Sequence, residues 1–233
     1  MSARPEMIST GVYRVDAIGF PNAINILLLE NDDGWTLVDT GVEGSVDRIR
    51  EALSALGSGP EDIRRIFLSH HHDDHTGGLK GIREWAPDAE VGATEYEAYV
   101  ISGKLPPALP SNPILRRLAQ GMSVPTSPVE KILREGDLVS GFRIVSTPGH
   151  SLGHASLLRD SDGLLFTADA FGGLPRKIRV GVIKALCTDP PMARRSARKL
   201  LGERFATVVM GHGPVLRSDA RARLQRAVER CRY

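Results

Sequence analysis

Two rhythms of apolar and polar positions alternate along the chain. Short apolar runs closed by polar, glycine-bearing residues read as strands, and apolar residues three or four apart read as helices. Val12 to Val15 reads as an edge strand, and Ile24 to Leu29 as a strongly buried one. Trp35 to Val38 returns across Asn31-Asp32-Asp33-Gly34, a hairpin turn, and stops at Asp39-Thr40-Gly41. An aspartate closing a buried strand is either a turn former or the orienter of a neighbouring side chain. Val46, Ile49, Leu53 and Leu56 then recur at helical spacing until Gly57 ends the helix. Ile66-Phe67-Leu68 predicts a short buried strand, Leu79, Ile82 and Trp85 a helix, Glu90 to Ala93 a strand and Thr94 to Ser102 a helix. The second half repeats this order. Phe142 to Val145 is a strand, and Ala155 to Arg159 pairs with Leu164 to Phe166 across Asp160-Ser161-Asp162-Gly163. A helix from about Met192 to Leu201 precedes the strand Thr207 to Met210, and a last helix runs from about Ser218 to Arg230.

One segment breaks the alternation. Residues 104–129 hold Pro106, Pro107, Pro110, Pro113, Pro125 and Pro128, which exclude a regular strand or a long helix. Ile114, Leu115, Leu118 and Met122 are spaced for one short helix within it. We read the segment as a lid inserted into a single domain spanning 1–233; the alternative is a packed connector.

Composition narrows the class. Of 233 residues, 41% are apolar and 25% charged, as in ordinary globular proteins, and 233 residues suit one large domain. A net charge of +2 gives no case for nucleic acid or an anionic membrane as partner. The arginines that gather towards the C-terminus, from Arg194 to Arg232, read as solvated helix faces. No apolar stretch approaches the roughly 20 residues needed to cross a bilayer, and no signal-peptide pattern is seen. Cys187 and Cys231 are far apart and form no paired motif, so a cytoplasmic, reduced protein is expected.

The histidines carry the chemistry. All seven (70, 71, 72, 75, 150, 154 and 212) lie in three polar loops that follow apolar strands. Four of them and two aspartates crowd into Ser69 to His75. In an extended chain His70 and His72 point the same way and can reach one metal, while His71 points away. Thr76-Gly77-Gly78 breaks the strand, so a turn would swing Asp74 and His75 towards a neighbouring position. Imidazole and carboxylate in this order suit two metal ions side by side. The plain alternative is a solvated polar loop.

These motifs resemble the metallo-β-lactamase fold superfamily, in order and over nearly the whole length. The resemblance implies a four-layer αββα sandwich. It also implies that His70, His72 and His150 hold one metal, that Asp74, His75 and His212 hold a second, and that Asp169 bridges them. Two divalent ions follow, zinc first, with manganese or iron as alternatives. Asp169 stands where the commonest zinc β-lactamases carry cysteine, and His72 where di-iron flavoprotein relatives carry glutamate. Both argue against those activities and towards enzymes similar to glyoxalase II, acyl-homoserine lactonases and phosphodiesterases. His154 is outside the ligand pattern and either supports the site or caps a turn.

The expected reaction is hydrolysis of an ester, lactone or thioester in a small molecule. Two cations about 3.5–4 Å apart would share a bridging hydroxide, and Asp74 would orient it and carry a proton to the leaving group. Three alternatives stand beside it: phosphodiester cleavage at the same metals, a mononuclear iron enzyme similar to persulfide dioxygenases, and a metal-binding module without turnover. The apolar lid residues favour an acyl group. Arg176, Lys177, Arg179 and Lys184, following Asp169, favour a phosphate or carboxylate.

Overall fold

The structure, a computed structural model, describes residues 4–120, 126–174 and 177–232. The first half builds seven strands: β1 (Glu6–Ser9), β2 (Val12–Asp16), β3 (Asn25–Asn31), β4 (Gly34–Val38), β5 (Ile63–Leu68), β6 (Glu90–Thr94) and β7 (Lys131–Leu133). They lie side by side in chain order, antiparallel from β1 to β4 and parallel from β4 to β7. The change of direction follows from the connections. A tight turn can join antiparallel strands, whereas parallel neighbours need a crossover. Here the crossovers are α1 (Val46–Ala55), the pair α2 (Asp73–Thr76) and α3 (Leu79–Trp85), and α4 (Glu95–Ile101) followed by the proline-rich segment. That segment contains one short helix, α5 (Pro113–Ala119). Pro113 occupies its first turn, where no amide donor is needed, and the Asn112 side chain caps the amides of Ile114 and Leu115. Met122 and Pro125 lie outside the described residues.

The second half adds β8 (Leu138–Val139), β9 (Phe142–Ser146), β10 (Ala155–Arg159), β11 (Leu164–Phe166), a separate hairpin of β12 (Phe171–Leu174) and β13 (Lys177–Val180), then α6 (Pro190–Gly202), β14 (Thr207–Val209) and α7 (Ala220–Arg230). The second sheet runs β14-β11-β10-β9-β8. The apolar run of β3 explains the layering. Leu27 and Leu29 face the second sheet, among Phe142, Ile144, Leu157 and Phe166. Ile26 and Leu28 face the other way, among Ile49, Leu53 and Ile82 of α1 and α3. The outer face of the second sheet, with Val145, Leu158 and Val208, is covered by Ala197 and Leu200 of α6 and Leu224 and Val228 of α7. A helix layer, two sheets and a second helix layer thus stack in order, the αββα sandwich that the sequence resemblance implies. Each fully buried Leu, Ile or Phe contributes about 1.5–3 kcal/mol by leaving water. Among the described residues no helix is long and apolar enough to cross a membrane.

Five strands have no clear pattern in the sequence: β1, β7, β8, β12 and β13. β12 reads Phe-Gly-Gly-Leu, which resembles a loop and becomes a strand only through its pairing with β13. The breaks after Leu68, Ser146, Phe166 and Val209 carry the histidines and Asp169 to one edge of the sandwich.

Candidate metal centre

Four chain segments meet at that edge. After β5, residues 69–72 leave the sheet and enter α2, so Asp74 and His75 sit on a single helical turn rather than a bend. The His150 loop follows β9. Asp169 lies in a 3-10 turn (Ala168–Ala170) after β11, and His212 follows β14. The structure gathers all seven predicted residues into three interlocking groups: His70, His72 and His150; His70, His75 and Asp169; and Asp74, His75 and His212. Within each group one ligand atom per residue lies within 4.8 Å of the others.

The first group is all imidazole. His72 Nδ1 lies 3.1 Å from His70 Nε2 and 3.0 Å from His150 Nε2. Three ring nitrogens facing one point cannot satisfy one another, since a shared proton serves one pair only. Burial, then the neighbouring imidazoles, push His70 and His72 well below the ordinary histidine range, so their nitrogens offer lone pairs.

The second region mixes imidazole with carboxylate. His212 Nε2 is 3.0 Å from Asp74 Oδ2 and 3.5 Å from Asp169 Oδ1, and His150 Nε2 is 3.2 Å from Asp169 Oδ2. His75 Nε2 and Asp169 Oδ1 lie 3.4 Å apart, both buried and both without a hydrogen-bond partner. Orphaned buried polar atoms are costly, and a cation between them would satisfy both. The residues therefore fit a metal. Burial alone would lower His75 and His212, but neighbouring carboxylates together outweigh it, Asp169 and Asp39 raising His75 and Asp169 and Asp74 raising His212 to about 10. Gly211 completes the fit: a Cβ there would come 2.5 Å from Asp169 Oδ1 and 2.9 Å from His75 Cε1. Gly172, before the strand turns, would likewise meet the His212 carbonyl at 3.0 Å, so backbone approaches the site closely where the glycines suggest it.

Neighbouring side chains orient these ligands. Asp39 is an orienter as well as a turn residue. Its carboxylate accepts from the Ser69 amide at 2.7 Å, from Ser69 Oγ at 2.8 Å and from His75 Nδ1 at 2.7 Å. Its backbone takes φ 61°, a left-handed conformation that aspartate tolerates better than most residues. His154 supports the site from behind. Burial pushes it down to about 3, so it is neutral, and its Nε2 accepts the Asp169 amide at 3.0 Å. His71 faces away, with Nδ1 2.6 Å from Glu97 Oε2, and Asp73 is exposed. His212 Nδ1 donates to the Ala23 carbonyl, and the buried Asn25 amide donates to the carbonyls of Met210 (2.9 Å) and Gly213 (2.8 Å).

Glu97 and Asn25 are the supporting residues that sequence reasoning missed. For Glu97 a signal existed: it stands three and four residues before Val100 and Ile101, on the face that α4 buries.

A family model described as the metallo-beta-lactamase superfamily matches residues 19–212. The chain belongs to the metallo-β-lactamase superfamily. Within it, the uncharacterized protein YobT of Bacillus subtilis (strain 168) is 28% identical over 221 residues, covering 90% of this chain and 91% of that protein. The N-acyl homoserine lactonase of Bacillus thuringiensis is 32% identical over 169 residues, covering 61% of this chain and 62% of that one. Among solved structures, a metallo-β-lactamase with a HARLDQ motif from Cronobacter sakazakii superposes with a TM-score of 0.68. It is 25% identical, over 91% of this chain and 78% of that one. Members of the superfamily are mostly hydrolases, and the His/Asp cluster of this one could hold metal.

Proposed function

We propose that this superfamily member is a dinuclear metal-dependent hydrolase of carboxylic esters, with lactones as the preferred class. His70, His72 and His150 would hold one ion, Asp74, His75 and His212 the other, and Asp169 both. Two divalent ions, zinc foremost, would supply an acidified water and polarise the scissile oxygen. The chain's own residues do the rest. Burial would raise Asp74, but the hydrogen bond from His212 and the nearby His75 hold it at about 2, so it is a carboxylate at neutral pH. Its side chain is 37% exposed, against 19% for His212 and 5% for Asp169. It would therefore accept a proton on the open side of the site and return it to the leaving oxygen.

The observation that carries the substrate class is the distribution of apolar and basic side chains around the site. Exposed large hydrophobics cluster on the chain segments that lead into or out of the ligand loops. Ile18 and Phe20 lie on the β2–β3 loop whose Ala23 carbonyl holds His212, and Leu152 lies two residues after His150. Leu174 ends the strand whose Gly173 amide donates to the His212 carbonyl. Ile183 and Leu186 precede Cys187, whose Sγ is 3.8 Å from His150 Nδ1. The basic residues gather on another face, except that Lys184 also lines a cavity with Ser111 and Asn112. Lys177, Arg179 and Lys184 line a cavity of about 270 Å³ between β13 and α7, with Arg230 and Arg232, and no ligand of the cluster lines it. Arg176 lies outside the described residues. An apolar rim suits an acyl chain, and these cations are not arranged around a phosphate at the metals.

We read residues 104–129 as the lid of this site. The Ala108 amide donates to Tyr96 Oη at 2.8 Å and the Ser111 amide to the Cys187 carbonyl at 2.9 Å, strapping the segment beside His150. Ile114 and Leu118 of α5 are left exposed. The resemblance to an N-acyl homoserine lactonase points to the same bond. The test compares kcat/KM for lactones of increasing acyl length with that for a bis-aryl phosphodiester, at low and high salt, on protein of measured metal content. Each methylene that contacts the rim should raise kcat/KM about fourfold, from about 0.8 kcal/mol of burial, with little salt effect. A phosphodiester preferred by orders of magnitude, with strong salt sensitivity, would overturn the lactone reading; one iron per chain would overturn the dinuclear one.

A further inference from the structure

We propose that Glu97 is a positioning residue that sets the spacing of the all-imidazole half of the centre, and of that half alone. Glu97 lies on α4, outside every ligand loop, and its carboxylate is 0% exposed. A carboxyl group out of water is expensive unless hydrogen-bond partners meet it. Four donors do, two on each oxygen. Oε2 accepts from the His71 amide at 2.9 Å and His71 Nδ1 at 2.6 Å. Oε1 accepts from Ser151 Oγ at 2.7 Å and the Gly153 amide at 2.9 Å.

The donors belong to two segments far apart in the chain. His71 lies between His70 and His72, and Ser151 follows His150. One buried side chain therefore clasps both segments that carry the three imidazoles whose nitrogens converge at 3.0–3.1 Å. It bonds none of Asp74, His75, Asp169 and His212; of these, His75 is held by Asp39, Asp169 by His154 and His212 by the Ala23 carbonyl. Thr94, which precedes α4, adds a fifth tie, its Oγ1 donating to the Gly153 carbonyl at 2.5 Å. The clasp also explains a glycine. A Cβ on Gly153 would stand 2.9 Å from Glu97 Cγ and Oε1 and 2.9 Å from Thr94 Oγ1, so only glycine lets the loop come this close. His71 itself then has a defined part: it is the handle by which the His70–His72 strand end is gripped.

The inference rests on the dinuclear reading above, and the test separates the two. Glu97→Gln keeps the shape, but an amide nitrogen must face two donors at one end or the other. Gly153→Ala reaches the same contact from the opposite loop, and carries the test should Glu97→Gln fail to fold. Leu53→Ala, in the helix layer on the far side of the first sheet, is the control for general destabilisation. Zinc and cobalt affinities are measured by chelator competition, and the cobalt-loaded visible spectrum reports the ligand geometry. The exchange rate of the Gly153 amide is read in the metal-free protein. Both site variants should lose affinity for one ion about 10–100-fold while the other is retained. The cobalt spectrum should change, and in Glu97→Gln the Gly153 amide should exchange faster. Leu53→Ala should lose thermal stability with both affinities intact. Wild-type protein that binds fewer than two ions would sink the dinuclear reading first. Two ions in wild type, with the variants matching Leu53→Ala in affinity and spectrum, would sink the role of Glu97 alone. Equal weakening of both ions would sink its restriction to one half.

Discussion

The two halves of the centre solve the same problem with opposite electrostatics. On one side His70, His72 and His150 meet as imidazoles, His70 and His150 almost fully buried, with the buried neighbours driving His70 and His72 towards the neutral form. On the other side Asp74 and Asp169 stand among His75 and His212, which their charge raises, and the side chains of Asp74 and His212 are 37% and 19% exposed. The imidazole half offers neutral nitrogens in a largely buried place; the mixed half favours protonated imidazole and opens towards solvent. Their supports differ as well. A carboxylate on a helix, Glu97, ties the first half only, whereas a carboxylate at a strand end, Asp39, holds His75 of the second directly and reaches His70 of the first through Ser69 Oγ, and the Ala23 carbonyl holds His212. In the proposed hydrolysis, such a division would let one half fix the electrophile while the other handles protons and the leaving group.

The comparison breaks most severely if a shielded ligand is removed. His150→Ala or His70→Ala should abolish one bound ion and lower kcat/KM by at least ~10³-fold, about 4 kcal/mol of transition-state stabilisation. Full metal content with full turnover in both variants would refute the ligand assignment. Asp169 sits between the halves, so Asp169→Asn should weaken both ions together, each by on the order of 100-fold. Loss of one ion at undisturbed affinity for the other, in a chelator titration, would make it a terminal ligand instead.

Acidity offers a gentler probe. In metal-free protein His212 holds its proton up to about 10, and a divalent ion must displace it. Affinity at the mixed half should therefore climb with pH, about tenfold per unit for each proton released, while the imidazole half shows a shallower slope near neutrality. Calorimetry in buffers of different ionisation enthalpy counts the protons, and equal slopes would erase the distinction. The same raised pKa stabilises the metal-free fold fully below the ordinary histidine value, and that contribution fades as pH rises through about 10.

The smallest effect should come from Asn25→Ala, which leaves the Met210 and Gly213 carbonyls without their donor. A loss of about 1–3 kcal/mol in stability should accompany a few-fold weaker mixed half and an unchanged imidazole half. An imidazole half that weakened equally would show the two supports to be one network.

Much of the candidate site was legible in the chain because the residues that could hold a metal come in short motifs at the ends of apolar strands. The strand ends themselves follow from local patterning: Ile66-Phe67-Leu68 must stop where Ser69 to His75 turn polar, and Leu164-Leu165-Phe166 where Thr167 and Asp169 begin. That is enough to name seven residues and the layered fold they imply. Tertiary structure decided what local sequence cannot encode. The place of Glu97 on the apolar face of α4 hints at burial, but its partners appear only when the His71 and Ser151 loops close over it, because they lie 26 and 54 residues away. Lys177, Arg179 and Lys184 follow Asp169 in the chain, but the β12–β13 hairpin carries them to a cavity against α7, so proximity in sequence misdirects. His154 could have capped a turn; it became a prop for the Asp169 amide only because β10 and β11 are paired neighbours. Residue type and spacing thus determined the chemistry available, and long-range packing determined which side chains hold it in place and where its charges face.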